Sequence, residues 1–293
     1  MTKRTNGEKV FAVFNTCILL GLALVFIVPI IHVVFASISD PLLLSANKGL
    51  ITWPLGKPTL EGYRLVFLNN VIIKAYGNTI LYVVSATAIG VMLSCFAAYA
   101  LSRKKFMVKG FVTFVITFTM LFNGGLIPTY MVVRNLNMLD TRWAIILPNC
   151  VSVFNIMIMR TSFNSIPDGL EEAARIDGAG HWRVLFAIIL PVSKAIIAVV
   201  VLFYAVQHWN SWFHTAIYVT NRDYYPLQII LREIVIANST SSLDASGEPG
   251  ELNLSRMLVK YAVIMVSIVP MFALYPFIQK YFVTGVMIGS IKG

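Results

Sequence analysis

Polar residues able to do chemistry are concentrated in two stretches of this 293-residue chain. The first lies between Thr161 and Ser193 and carries the acids Asp168, Glu171, Glu172 and Asp177 among the small residues Ala173, Ala174, Gly178, Ala179 and Gly180. Its acids can meet a basic partner, and its small residues expose backbone to close approach. The second is the cluster His208, Trp209, Asn210, Trp212 and His214. Its rings can stack on the face of a sugar, and its amide and imidazole groups can hydrogen-bond hydroxyls. The same residues would equally make an aromatic belt at a membrane–water interface. Enzyme constellations are missing. The histidines (His32, His181, His208, His214) show no HExxH or i, i+4 spacing for zinc. There is no GxSxG elbow and no GxxxxGK[ST] loop to cradle phosphates. No catalytic residue, metal site or bound cofactor is expected.

The elements that must position the first stretch can be read from the same residues. Ser165 can cap a helix with Pro167 in its first turn, where a missing N–H costs nothing. Asp168, Glu171 and Glu172 then sit at the positive end of that helix. Asp177-Gly178 supplies a stop, because glycine takes the left-handed conformation freely. A second amphipathic stretch with Trp182, Leu185, Phe186 and Ile189 comes next and enters an apolar run, with Pro191 near its start. Two short helices meeting at a sharp, small-residue bend make a knuckle that suits docking into a cleft of another protein. An amphipathic hairpin lying on a membrane is the other reading of this pattern.

Composition assigns the surroundings. Hydrophobic residues make up 58% of the chain and charged residues only 12%, with a mean hydropathy of +0.78. A soluble domain carries about 25% charged residues, so much of this surface must face lipid. Crossing the hydrocarbon core takes about 20 apolar residues. Six stretches are expected to do so: residues 10–38, 77–101, 107–131, 143–160, 186–207 and 257–279. Unbroken apolarity argues for helices rather than a barrel. The first run is too long for a cleaved signal peptide. Pro29, Pro270 and Pro276 are expected to kink their helices. Asn123-Gly124-Gly125 interrupts the third, either as an unwound segment or as a tight helix contact. Cys17, Cys95 and Cys150 have no redox or metal spacing and are expected as buried small hydrophobes.

The short loop Ser102–Lys109, with Arg103, Lys104, Lys105 and Lys109 and no acid, belongs in the cytoplasm. Six spans then put both termini and residues 161–185 inside, with 39–76 and 208–256 outside. The same rule accounts for the net charge of +10 without nucleic acid. Lys194 lies close enough to the inner end of its span to snorkel.

Glu172-Ala173-Ala174, three residues, Gly178, nine residues, Ile188, one residue, then Leu190-Pro191 resembles the EAA motif of binding-protein-dependent ABC importer permeases at every defined position. Asp177-Gly178-Ala179 is also typical of it. The ending from Gln279 through Gly285 to Gly293 is similar to that of maltose-type carbohydrate permeases, the second of their two permease subunits. Phe122 to Tyr130, with Ile145 to Pro148, resembles a subgroup for oligo- and polysaccharide uptake that includes alginate-type importers.

The resemblance implies an all-α integral membrane fold, type I ABC importer permease-like, as one transmembrane domain over 1–293 in a prokaryotic cytoplasmic membrane. It implies a second homologous permease, two ATPase subunits that bind the ATP and magnesium, an external solute-binding protein and a carbohydrate substrate, with an acidic, alginate-like oligosaccharide among the candidates. It implies ATPase coupling by Glu171, Glu172, Ala173, Ala174, Asp177, Gly178, Ala179, Leu190 and Pro191, and contact with the ATPase dimer by Val283, Thr284, Gly285, Lys292 and Gly293. Asn123, Tyr130, His208, Trp209, Asn210 and Trp212 become candidates for lining the substrate path. An ion-gradient-driven transporter or channel is the alternative, but it would need intramembrane acids, and the spans supply no ionisable pair.

Overall fold

The computed structural model describes residues 5–103, 106–241 and 251–290, and every regular element among them is helical. Two compact units emerge: residues up to Ile73 with Leu231–Val269, and Lys74–Ile230 with Pro270 onward.

The first unit begins with α1 (Asn6–Ser37), α2 (Pro41–Ala46) and α3 (Glu61–Leu68). Thr5 and Glu8 close a capping box at the start of α1: the Thr5 N–H donates to Glu8 Oε2 at 2.8 Å, and Thr5 Oγ1 accepts from the Glu8 N–H at 3.4 Å. The apolar stretch of α1 has no buried residue. Cys17 is accordingly exposed rather than buried, because this helix is apolar all round and its solvent is lipid. Asp40 caps α2, accepting from the N–H of Leu42 at 2.9 Å. Ala36, Leu44, Ile51 and Leu258 form a small core.

The second unit holds α4 (Asn70–Ser102) from Lys74 on, α5 (Lys109–Leu121), α6 (Leu126–Asn135), α7 (Trp143–Ile146), α8 (Val153–Asn164), α9 (Asp168–Ile176) and α10 (His181–Val184). A π-helical turn (Leu185–Ile189) then leads to α11 (Leu190–Val192), α12 (Lys194–Trp209) and α13 (Phe213–Tyr218). Helices α14 (Leu227–Ser241) and α15 (Glu251–Ser290) run across the division between the units. Cys95, Ala98 and Leu101 of α4 pack with Ile156, Met159 and Phe163 of α8, Val200 and Tyr204 of α12, Val184 of α10, and Leu185 and Ile189 of the π-helical turn. Tyr204 knots this core. Its hydroxyl lies 2.6 Å from Ser94 Oγ and accepts the Ser152 N–H at 2.9 Å. Gly90 of α4 admits the chain between α7 and α8 closely enough that a Cβ there would lie 2.2 Å from the Cys150 carbonyl oxygen.

Among the described residues, α1, α4 and Arg256–Leu274 are single helices long and apolar enough to cross a membrane. Two bent pairs bring the number to five if each is one span. Helices α5 and α6 meet at 114°, where the 107–131 run unwinds. Asn123 Oδ1 accepts the Gly125 N–H at 2.8 Å, and Gly125 has φ +89. Within the chain a Cβ on Gly125 would meet nothing within 4 Å and one on Gly124 only Pro128 Cβ at 3.9 Å, so the segment unwinds here without a tight contact inside the chain.

The expected 186–207 span is divided: His181–Val192 meets α12 at 84° through Ser193, with Lys194 the first residue of α12. Pro191, which lacks an N–H, and the π-helical turn both interrupt the regular ladder here. The 143–160 stretch is α7 and α8 with residues 147–152 between them, Pro148 among these. Pro29, Pro270 and Pro276 lie inside continuous helices.

Candidate functional site

Helix α9 and the turn after it build the knuckle. Pro167, with ψ 132, is the residue before the helix and offers no side-chain cap. Ser165 belongs to the preceding element instead: it ends α8, its hydroxyl donating to the Ser162 carbonyl at 2.8 Å. The reason is local, since a residue before proline is pushed out of the helical region and Ile166-Pro167 therefore cannot be the first turn.

At the other end Gly178 takes φ +79. Its N–H donates to the Arg175 carbonyl at 3.0 Å, and the Ala179 N–H to that of Ala174 at 2.8 Å. These two bonds are a Schellman motif, and the hydrophobic contact that usually accompanies one is consistent with Ala174 and Ala179 both packing on the core. Glu172, Ala173, Asp177 and Gly178 remain exposed. Past the bend, Leu185 and Ile189 are buried and Leu190 packs on the core, while Trp182, Phe186 and Pro191 are exposed. The Trp182 and Phe186 rings stack at 6.2 Å, and both face Phe96 edge-on.

Glu171 and Glu172 are adjacent but do different things. Glu172 faces outward. Glu171 turns inward, with side chains only 14% exposed for itself and 16% for Arg103, its ion-pair partner. Arg175 adds bonds to Glu171 Oε1 at 3.0 and 2.7 Å and touches His181 Nδ1 at 3.1 Å. Burial alone would raise the Glu171 carboxyl, but hydrogen bonds and charge from Arg175 and Arg103 outweigh it and hold the group below its ordinary 4.5. Tyr99, Ser102, Arg103, Asp168, Glu172 and His181 are among the residues lining a cavity of about 530 Å³ here. The role of Arg103 carries no sequence signal: it lies 68 residues from Glu171 and reads only as a topology charge.

A second cavity, of about 230 Å³, is lined by Asn149, Gln207, His208, Asn210, Ser211, Trp212, Phe213 and His214. His208 is buried, and its Nε2 has no hydrogen-bond partner among the described residues. Trp209 is buried beside Tyr76 instead. Asn149 and Gln207 were not singled out by sequence. Asn149 comes from the α7–α8 break, far along the chain from the other lining residues. Asn123 sits in the α5–α6 break, and Tyr130 packs near Tyr218 at 6.2 Å, so neither joins this cavity. Val283, Thr284 and Gly285 continue α15; Lys292 and Gly293, like Lys104 and Lys105, lie outside the described residues.

Asp140 organises the loop after α13. With φ +59, it accepts from the N–H groups of Thr220 at 2.9 Å and Asn221 at 2.8 Å. Those bonds, that from Asn221 foremost, hold its carboxyl below the ordinary 3.8. Asn78 donates to the Asp223 and Tyr225 carbonyls at 2.8 and 3.1 Å, Tyr82 to that of Tyr224 at 2.8 Å, and Thr79 Oγ1 accepts from Leu227 at 2.8 Å. The Asn78–Tyr82 part of α4 is thereby bound to residues 223–227.

The chain is similar over most of its length to several proteins of known sequence or structure. It is 38% identical to the polygalacturonan/rhamnogalacturonan transport system permease protein YtcP of Bacillus subtilis (strain 168) over 278 residues, 94% of this chain and 96% of that one. Identity to protein LplC of the same organism is 35% over 293 residues, 99% of this chain and 97% of that one. A chain from the crystal structure of a bacterial ABC transporter involved in the import of the acidic polysaccharide alginate superposes with a TM-score of 0.84 at 30% identity, covering 96% of this chain and 100% of that one. Residues 90–288, including both cavities and the Gly178 knuckle, match one family model, and the chain belongs to that family, the binding-protein-dependent transport system inner membrane components.

Proposed function

We propose that this chain is the permease subunit of an ATP-driven importer of sugars or oligosaccharides, working by alternating access. The observation that carries the proposal is the exposed Glu172–Gly178 knuckle, a rigid, small-residue hairpin that ends in a Schellman turn. In this reading Glu172 meets a basic residue of an ATPase subunit, and Ala173, Asp177 and Gly178 let the two surfaces approach. ATP and magnesium bind to that partner, and this chain contributes no catalytic group. A homologous permease, a pair of ATPases and an external binding protein complete the importer.

Six crossings with both termini cytoplasmic fit the Arg103–Lys109 loop. The fourth crossing would be α7 with α8, and the fifth α12 with the chain entering it. Non-helical backbone at membrane depth is tolerated where it is buried in protein or lines a cavity, as at the α7–α8 break. The 230 Å³ cavity is smaller than the about 300–1,000 Å³ usual for drug-sized ligands, which suits one sugar unit in passage. Relatives named for polygalacturonan and alginate favour an acidic oligosaccharide.

Affinity purification from the native membrane tests the assembly. Recovery of a P-loop ATPase and a second EAA-bearing permease is the expected result. A chain that purifies alone and moves solute in vesicles without ATP would refute it.

A further inference from the structure

Arg103 is the point where three elements meet. Its Nη1 pairs with Glu171 of α9. Its Nη2 donates to the Phe163 carbonyl, in the last turn of α8, at 3.4 Å. Its Nε donates to Ser102 Oγ at 3.0 Å, and the guanidinium sits 5.0 Å from the centre of the Tyr99 ring, both at the end of α4. A planar fork with several donors can hold this geometry, which a lysine cannot reproduce in full. Ion pairs on open surface are worth little, but this one is largely shielded and its acid is shared with Arg175. Helix α4 is 33 residues, so about 50 Å long. Its far part is fastened by Asn78, Thr79 and Tyr82 to residues 223–227, and its middle by Ser94 to Tyr204.

We propose that Arg103 is a positioning residue of the transport cycle: its bond to Glu171 fastens α9 to the cytoplasmic end of α4, so that displacement of α9 by the ATPase is carried along α4 to the external loop around residues 219–227. The inference rests on the docking of α9 proposed above. The acid beside the motif glutamate then works inside the permease, not on the ATPase, which separates Glu171 from Glu172 in role. The fork to Phe163 makes α8 move with α9 and α4. Without Arg103, α9 would still reach the ATPase through its exposed face but would slip against α4.

The test uses the intact importer with a single cysteine at Gly77→Cys, where an added Cβ meets nothing within 4 Å, and Cys17, Cys95 and Cys150 replaced by serine or alanine. Labelling by a membrane-impermeant maleimide is followed with and without ATP and vanadate. The parent should show an ATP-dependent change of about fivefold or more, the lower end of ordinary coupling. Arg103→Ala should retain the ATPase, with unchanged KM and kcat for ATP, yet lose that change. Glu171→Gln should behave alike, and Arg103→Lys should restore part of it and serve if Arg103→Ala fails to accumulate. A full ATP response in Arg103→Ala, or none in the parent, overturns the proposal. So does loss of the ATPase from Arg103→Ala, since Arg103 would then hold α9 for docking without transmitting its motion. Failure of the docking reading shows separately, as an ATPase that does not copurify even with the parent.

Discussion

Replacing Gly178 separates turn geometry from simple bulk. A Cβ at this position meets nothing within 4 Å, so an added methyl does not clash with the fold. Within this chain the effect of a small substituent therefore comes from φ +79. Holding an L-residue in that region costs about 1–2 kcal/mol, and a β-branched residue is worse still because such angles are outliers for it. A penalty of about 1–2 kcal/mol lowers the population of the native turn about 5–30-fold. Asparagine is the exception, being tolerated at this position of a Schellman turn.

The expected order is therefore Gly178 wild type, then Gly178→Asn close behind, then Gly178→Ala, then Gly178→Val. The measure is the amount of ATPase recovered per tagged permease at equal membrane insertion, with ATP-driven oligosaccharide uptake in vesicles alongside. A Val variant that inserts normally and recovers wild-type ATPase would sink the argument. So would an Asn variant as poor as Val, because bulk rather than φ would then be the cause.

Tyr204→Phe removes the partner of the Ser152 N–H and of the Ser94 hydroxyl. Each buried group left unsatisfied costs about 1–3 kcal/mol, and a lowered melting temperature in detergent should result. Gly90→Ala places a methyl 2.2 Å from backbone oxygen, so the protein should fail to accumulate in the membrane. Trp212→Ala and Asn149→Ala should raise KM for uptake several-fold while leaving ATPase recovery intact, provided the 230 Å³ cavity lies on the path. For Glu171 the folded carboxyl lies below 4.5, so its stabilising pairs are fully present above pH 4.5 and disappear only as pH falls through the lower folded value. Maleimide labelling at Gly77→Cys should thus keep its ATP response from about pH 8 down to about 5, and a loss near pH ~6.5 would contradict the assignment.

Legibility in the sequence tracks the range of the interactions involved. Residue-to-residue rules placed the Gly178 stop correctly, because a C′ glycine needs only its own backbone angle. They also found the helical class and the apolar runs, since lipid admits few other solutions. The same rules read as single runs two stretches that the structure bends. Asn123-Gly124-Gly125 marked the break in Lys109–Tyr130, but its 114° angle, formed with an Asn123 side-chain-to-backbone bond and a positive φ at Gly125, is nothing an apolar average can register. Likewise Pro191 signalled a helix start, whereas the 84° turn falls at Ser193, after a π-helical turn with no sequence signature.

Least legible were the associations across distance: the bonds of Arg103 to Glu171 and of Tyr204 to Ser152, and the shared cavity of Asn149 and Trp212. Arg103 read as a topology charge, which needs no partner, and no spacing signal marked Tyr204 or Asn149. Two adjacent glutamates could not be told apart by spacing, because they lie about 100° apart on a helix and only the position of α4 decides which faces inward. The division of labour between Glu171 and Glu172 is thus a property of tertiary packing, and its consequence is specific. Glu172→Gln should weaken ATPase recovery at an undiminished turnover per bound ATPase, whereas Glu171→Gln should leave recovery unchanged and uncouple hydrolysis from uptake. Identical phenotypes for the two would mean that α9 acts as one charged surface and that the inward turn of Glu171 has no part in transport.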